Sequence, residues 1–127
     1  MRIWIGIAGV AGLSAVAMGA FAAHGLKHLL TPEQLQTLQV GVQYQLWHAL
    51  ALLLVVVLGQ LQPSPWLRGA CWAFALGMLL FSGSLYLLVL ARLPLGLITP
   101  LGGVALMIGW GLLLGHACRA HGDKPLR

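Results

Sequence analysis

The chain has 127 residues, seven Lys/Arg, two Asp/Glu and a formal charge of +5. Charged residues make up 7% of it, against roughly a quarter in a soluble domain, and apolar residues reach 60%. That balance excludes a water-facing globular surface. It also excludes a nucleic-acid interface, because the basic residues stand singly near the ends of apolar runs, where they anchor and orient membrane helices.

The first apolar run covers about 3–23. A helix needs about 20 apolar residues to cross the hydrocarbon, and this run suffices. Arg2 and the Ala20-Phe21-Ala22 step resemble a secretory signal peptide, but the run is longer than the 7–15 residues usual for such a core, so an uncleaved span is expected. Ala11, Ala15 and Gly19 recur at fours, a spacing that lets helix backbones approach closely. The run ends in FAAHGLKHLL, where His24, Lys27 and His28 appear abruptly. This is read first as a helix exit with Lys27 among headgroups, and His24 capping or cross-linking the ends of the bundle.

The motif TPEQL then predicts a helix start. Thr31 is the cap, Pro32 takes the first helical position, Gln34 closes a capping box, and Leu30 and Leu35 form a hydrophobic staple. A short interfacial helix is expected here, bending near Gly41 into the second span at about 41–61. On that span Gly41, Tyr44, Gln45 and His48 follow the i, i+3, i+4, i+7 pattern and share one face. Polar side chains at such depth face protein or a water-filled cavity rather than lipid.

QPSP breaks the chain before a third span at about 66–91, and RLPLG before a fourth at about 98–118. The third carries Gly77 and, near its end, Ser82, Ser84 and Tyr86. The fourth opens with Thr99 and carries Gly111 and Gly115 for packing. Backbone groups in lipid must be satisfied within the segment, so the spans are helices. Short connections make neighbours antiparallel. The expected fold is an all-α, integral-membrane four-helix bundle forming one domain over 1–127.

Arg2, Arg68, Arg119, Lys124 and Arg127 fall on the side of the termini, and Lys27 and Arg92 on the other. The positive-inside bias therefore places both termini in the cytoplasm. The hairpin geometry also brings His24, Lys27, Tyr44, Gln45, His48, Ser82, Ser84, Tyr86 and Thr99 to one half of the bilayer, the outer one. A hydrogen-bonded network or shallow polar pocket is expected there.

His24, His28 and His48 are the residues a metal reading would use. No HExxH accompanies them, and a histidine bonded to serine, tyrosine or a backbone carbonyl is the commoner arrangement, so no metal is expected. Ser82 and Ser84 lack a GxSxG setting, and the only acids, Glu33 and Asp123, lie outside the spans. No catalytic residue and no cofactor are expected. Cys71 and Cys118 are outside any CxxC and are read as free thiols.

GAFAAHGLK, YQLWHALALL, FSGSLYLL and ITPLGGVALMIGW, in that order over nearly the whole chain, resemble the signature blocks of the YgdD/YwdK-like small membrane proteins. Transmembrane 256-like proteins are their mitochondrial relatives. Ala22 stands where that family more often has glycine. The resemblance implies an inner-membrane protein with several spans and an uncleaved first helix, and it implies no reaction, substrate or cofactor. The expected role is a non-enzymatic scaffold or accessory protein, self-associating or bound to a membrane-protein partner. The alternative is a binder or carrier of a small molecule, proton or metal ion that uses the polar pocket.

Overall fold

The computed structural model describes residues 1–122. Asp123, Lys124 and Arg127, the last two used in the charge count above, lie outside the described residues. The chain forms α1 (Arg2–Ala23), α2 (Pro32–Leu61), α3 (Pro65–Leu90) and α4 (Ile98–Gly122), and each is long and apolar enough to cross a membrane. α1 packs on α2, α2 on α3 and α3 on α4, while α1 only brushes α3. The central α2–α3 hairpin is thus flanked on either side by a less covered helix.

The helix ends follow local chemistry. His24 is the C-cap of α1 through its backbone N–H, which donates to the Ala20 carbonyl. At α2 the Gln34 N–H donates to Thr31 Oγ1 at 3.2 Å, and the Thr31 N–H donates to Gln34 Oε1 at 3.0 Å. Leu30 and Leu35 both pack against the buried Ala22, Leu38 and Val89. Thr31→Ala should therefore cost about 1 kcal/mol, the usual value of such a cap. Faster amide exchange confined to Gln34 and its neighbours would register it.

The short interfacial helix is not a separate element. α2 runs 30 residues without a break, and Gly41 sits inside it with helical geometry. Gly41 is there to make room rather than to bend: a Cβ at that position would come within 2.9 Å of the Tyr86 ring. α3 begins at Pro65 behind the Ser64 cap, whose Oγ accepts from the Trp66 N–H. It ends where Arg92 takes a left-handed backbone, φ 54°.

Without a hydrophobic drive between helices in lipid, close packing must hold the bundle together. Ala8, Ala15 and Ala22, seven apart, are buried along α1. Ala11 packs at the core's edge, and a Cβ on Gly19 would meet Val42 at 3.4 Å, an ordinary contact. The α3–α4 seam is tighter. A Cβ on Gly77 would meet Leu106 at 2.5 Å, one on Gly109 would meet the Phe74 ring at 2.5 Å, and one on Gly115 would meet Trp66 at 2.7 Å. At Gly102 a Cβ would run into the backbone of Phe81. Gly111, expected to pack, has no neighbour within 4 Å of an added Cβ. It lies two residues, about 200° of helix rotation, from Gly109, so it faces away from the seam.

Candidate functional site

The polar side chains within the spans form a ladder of hydrogen bonds centred on α2. Near the α3–α4 connection the Ser84 hydroxyl donates to the Phe81 carbonyl at 2.9 Å. The Thr99 hydroxyl lies 2.6 Å from Ser84 Oγ. With the Ser84 proton committed to Phe81, Thr99 is the donor in that pair, joining α4 to α3.

The next rung joins α3 to α2. Ser82 Oγ donates to the Gly41 carbonyl at 2.6 Å, and Ser82 is fully buried. The missing Cβ at Gly41 admits the Tyr86 ring alongside, so that the Tyr86 hydroxyl reaches Gln45 Oε1 at 2.6 Å. The Gln45 amide nitrogen donates to the Ala11 carbonyl at 2.7 Å and to Ser14 Oγ at 2.6 Å. Ser14 donates its own proton back to the Val10 carbonyl at 2.8 Å, leaving its lone pairs for Gln45. One buried carboxamide thus ties α1, α2 and α3 together.

His48 forms the deepest rung, about 24 Å from the start of α2 and about 20 Å from its end at 1.5 Å per residue. Its Nδ1 lies 2.7 Å from the Tyr44 carbonyl, and its Nε2 accepts from the Trp110 indole N–H at 3.0 Å. A carbonyl accepts only and an indole N–H donates only, so the ring is the neutral tautomer protonated on Nδ1. A proton on Nε2 would set two donors against each other. Both ring nitrogens are therefore engaged in hydrogen bonds. Phe74 and Trp110 flank the ring at 5.5 and 5.9 Å between centroids. Tyr44 joins through its ring, stacked on Phe81 at 4.6 Å.

The four-residue face of α2 therefore serves three neighbours: Gly41 serves α3, Gln45 serves α1 and α3, and His48 serves α4. Among the described residues no buried side-chain nitrogen or oxygen lacks a partner. The ladder descends from the connection end to the middle of the bundle, and of the two expected forms, a hydrogen-bonded network or a shallow pocket, it takes the first. His24, Lys27 and His28 do not join it. All three are exposed at the α1–α2 connection, and of the two roles expected for His24, capping or cross-linking, it takes the cap, through its backbone N–H. The three histidines do not converge, and among the described residues no group of three His, Cys, Asp or Glu is placed to hold a metal.

Sequence reasoning missed Ser14 and Trp110. Each left a trace: Ser14 is the one hydroxyl within the first span, and Trp110 lies in mid-span rather than in the interfacial belt. Trp110 is half-exposed on the bundle, and an indole N–H kept from water at mid-span needs an acceptor, which His48 supplies.

A family model described as protein of unknown function (DUF423) matches residues 18–103. The UPF0382 membrane protein YwdK of Bacillus subtilis is 41% identical over 116 residues, covering 90% of this chain and 94% of its own. The UPF0382 inner membrane protein YgdD of Escherichia coli K12 is 40% identical over 119 residues, covering 93% and 91%. A UPF0382 membrane protein of Haemophilus influenzae is 40% identical over 108 residues, covering 84% and 86%. No solved structure matches significantly. With four apolar membrane-length helices and relatives of this identity over nearly its whole length, the chain belongs to the UPF0382 family of multi-pass membrane proteins, whose shared domain has no known function.

Proposed function

We propose that the protein is a non-enzymatic membrane scaffold or accessory protein, with both termini in the cytoplasm, whose polar ladder fixes the helix arrangement presented to a partner or a second copy. The observation that carries this reading is the closure of the ladder. Gln45 spends both amide hydrogens inside the protein, and His48 spends both ring nitrogens. A proton relay needs a histidine free to exchange protons, and a carrier needs polar groups that are unpaired without cargo. Neither condition is met at these rungs. No catalytic constellation accompanies them, and the relatives' names specify no reaction.

Crosslinking in native membranes followed by mass spectrometry should recover a reproducible partner or self-assembly. A strictly solitary protein would overturn the reading. In proteoliposomes loaded with a pH indicator, wild type and His48→Ala should give the same proton leak. A flux present in wild type and abolished by His48→Ala would favour the carrier alternative. Trp110→Phe removes the indole donor together with part of the ring that packs on His48 and Phe74, and should lower stability by at least about 0.6 kcal/mol, the average measured for a hydrogen bond between membrane helices. Resistance to denaturation in detergent would measure it. Cysteine accessibility from the two sides of sealed vesicles tests the orientation.

A further inference from the structure

Between α1 and α3, which barely touch, lies a lateral groove of ≈ 740 Å³. Ile7 and Val10 line one wall, Leu76 and Leu79 the other, and Gln45 and Tyr86 lie at its inner end. At the end bearing the termini, Trp4 and Trp72 meet edge to face at 5.0 Å. Trp4 also lines a second cavity of ≈ 220 Å³, whose wall includes Gln60, Ser64 and Arg68. Arg68, Trp72, Leu76, Leu79 and Gly83 follow one another at helical spacing along a single stripe of α3. An apolar channel in the bilayer thus leads up past two tryptophans to a cation at headgroup level.

We infer that this continuous surface is a binding site for an anionic phospholipid, with acyl chain in the α1–α3 groove and phosphate at Arg68. Four observations carry it. Among the described residues the only acid is Glu33, at the opposite end of the bundle, so Arg68 has no carboxylate partner there. A phosphate supplies a charge opposite to that of Arg68, and Gln60 and Ser64 line the same cavity beside it. Tryptophans at the mouth match the level where acyl chain gives way to headgroup.

The groove's length then suits an acyl chain. From Ile3 to Ser14 it extends roughly 16 Å at 1.5 Å per residue, about half of the ~30 Å hydrocarbon core and so the depth of one leaflet. Finally, Gly6 and Gly83 both line the groove, and a Cβ on either would meet nothing within 4 Å. They serve no contact inside the protein. Their effect is to leave the groove open.

The test is native mass spectrometry of the purified full chain titrated with phosphatidylglycerol or phosphatidylcholine, with far-UV circular dichroism to follow folding. Wild type should retain phosphatidylglycerol in preference to phosphatidylcholine. Arg68→Gln should weaken phosphatidylglycerol about fivefold, the effect of one basic residue near an anionic lipid surface. Gly83→Leu should abolish retention of either lipid by filling the groove, and Gly6→Leu does the same from the other wall should the first variant fold poorly. Arg92→Gln, at the other end, should change nothing. Equal retention of the two lipids, an unchanged affinity in Arg68→Gln, or undiminished binding in both filled-groove variants would overturn the site. Loss of a dimer mass in Gly83→Leu, with lipid retention intact, would assign the groove to a second copy and overturn it equally.

Discussion

Gly102→Ala is expected to destabilise the protein by about 3 kcal/mol, the upper end of what overpacking costs. The reason is what the added methyl meets. At Gly109 and Gly115 the obstacle is a side-chain ring, but at Gly102 it is the backbone of Phe81, inside α3. A ring can shift by rotating about χ1, whereas a helical backbone segment moves only if its neighbours move with it. The carbonyl of Phe81 is also the acceptor for Ser84, which in turn contacts Thr99, so prising α4 away from α3 stretches that rung as well. Gly111→Ala is the matched control: the same chemical change, nine residues along the same helix, into open space. It should stabilise by about 0.5–1 kcal/mol, the ordinary advantage of alanine over glycine within a helix. Unfolding measured by steric trapping in bicelles would resolve both. Similar effects at the two positions would mean that the α3–α4 contact is looser than described.

Gln45→Leu should cost about 2 kcal/mol. Three hydrogen bonds vanish, and such bonds average about 0.6 kcal/mol each between membrane helices, with the best near 1.7. The loss is unequal among the partners. Ser14 keeps its bond to Val10, and the Ala11 carbonyl keeps its place within α1, but the Tyr86 hydroxyl loses the acceptor it had. Tyr86→Phe in the Gln45→Leu background should therefore recover part of the cost, because it removes the stranded hydroxyl. In the wild-type background the same change should cost about 0.6 kcal/mol. A double-mutant cycle gives the coupling directly. Additive effects would show that the Gln45–Tyr86 bond contributes nothing to holding α3 against α2.

Much of the local architecture is legible in the sequence. Thr31, Pro32 and Gln34 specify a helix start through groups that lie within three residues of one another, so sequence spacing alone carries the geometry. The breaks at Pro63, Pro65 and Pro94 are covalent facts about φ and the missing N–H. Other features depended on partners far away in the chain. Gly41 is equally compatible with a bend and with a close approach, and only the arrival of Tyr86, 45 residues later, decides for the latter. Gly109 and Gly111 look alike in the primary structure, yet 200° of helix rotation puts one in the seam and the other outside it.

The polar ladder divides in the same way. That Gly41, Tyr44, Gln45 and His48 share a face is a property of a 3.6-residue repeat and could be read directly. Their targets could not, because each belongs to a different neighbour. His24 shows the converse, for its place in a histidine-rich stretch drew it toward the network, while the structure uses only its backbone.

By itself the sequence determined that this chain forms four helices and lives in lipid, because those outcomes depend on local composition, covalent geometry and the need to satisfy every backbone group within its own segment. The tertiary structure alone decided which polar atoms meet, which glycines admit a neighbour, and where a groove remains between α1 and α3. Those are properties of how cylinders rotate and lean against one another. A shift of one residue in helix phase, which composition scarcely registers, would reassign them all.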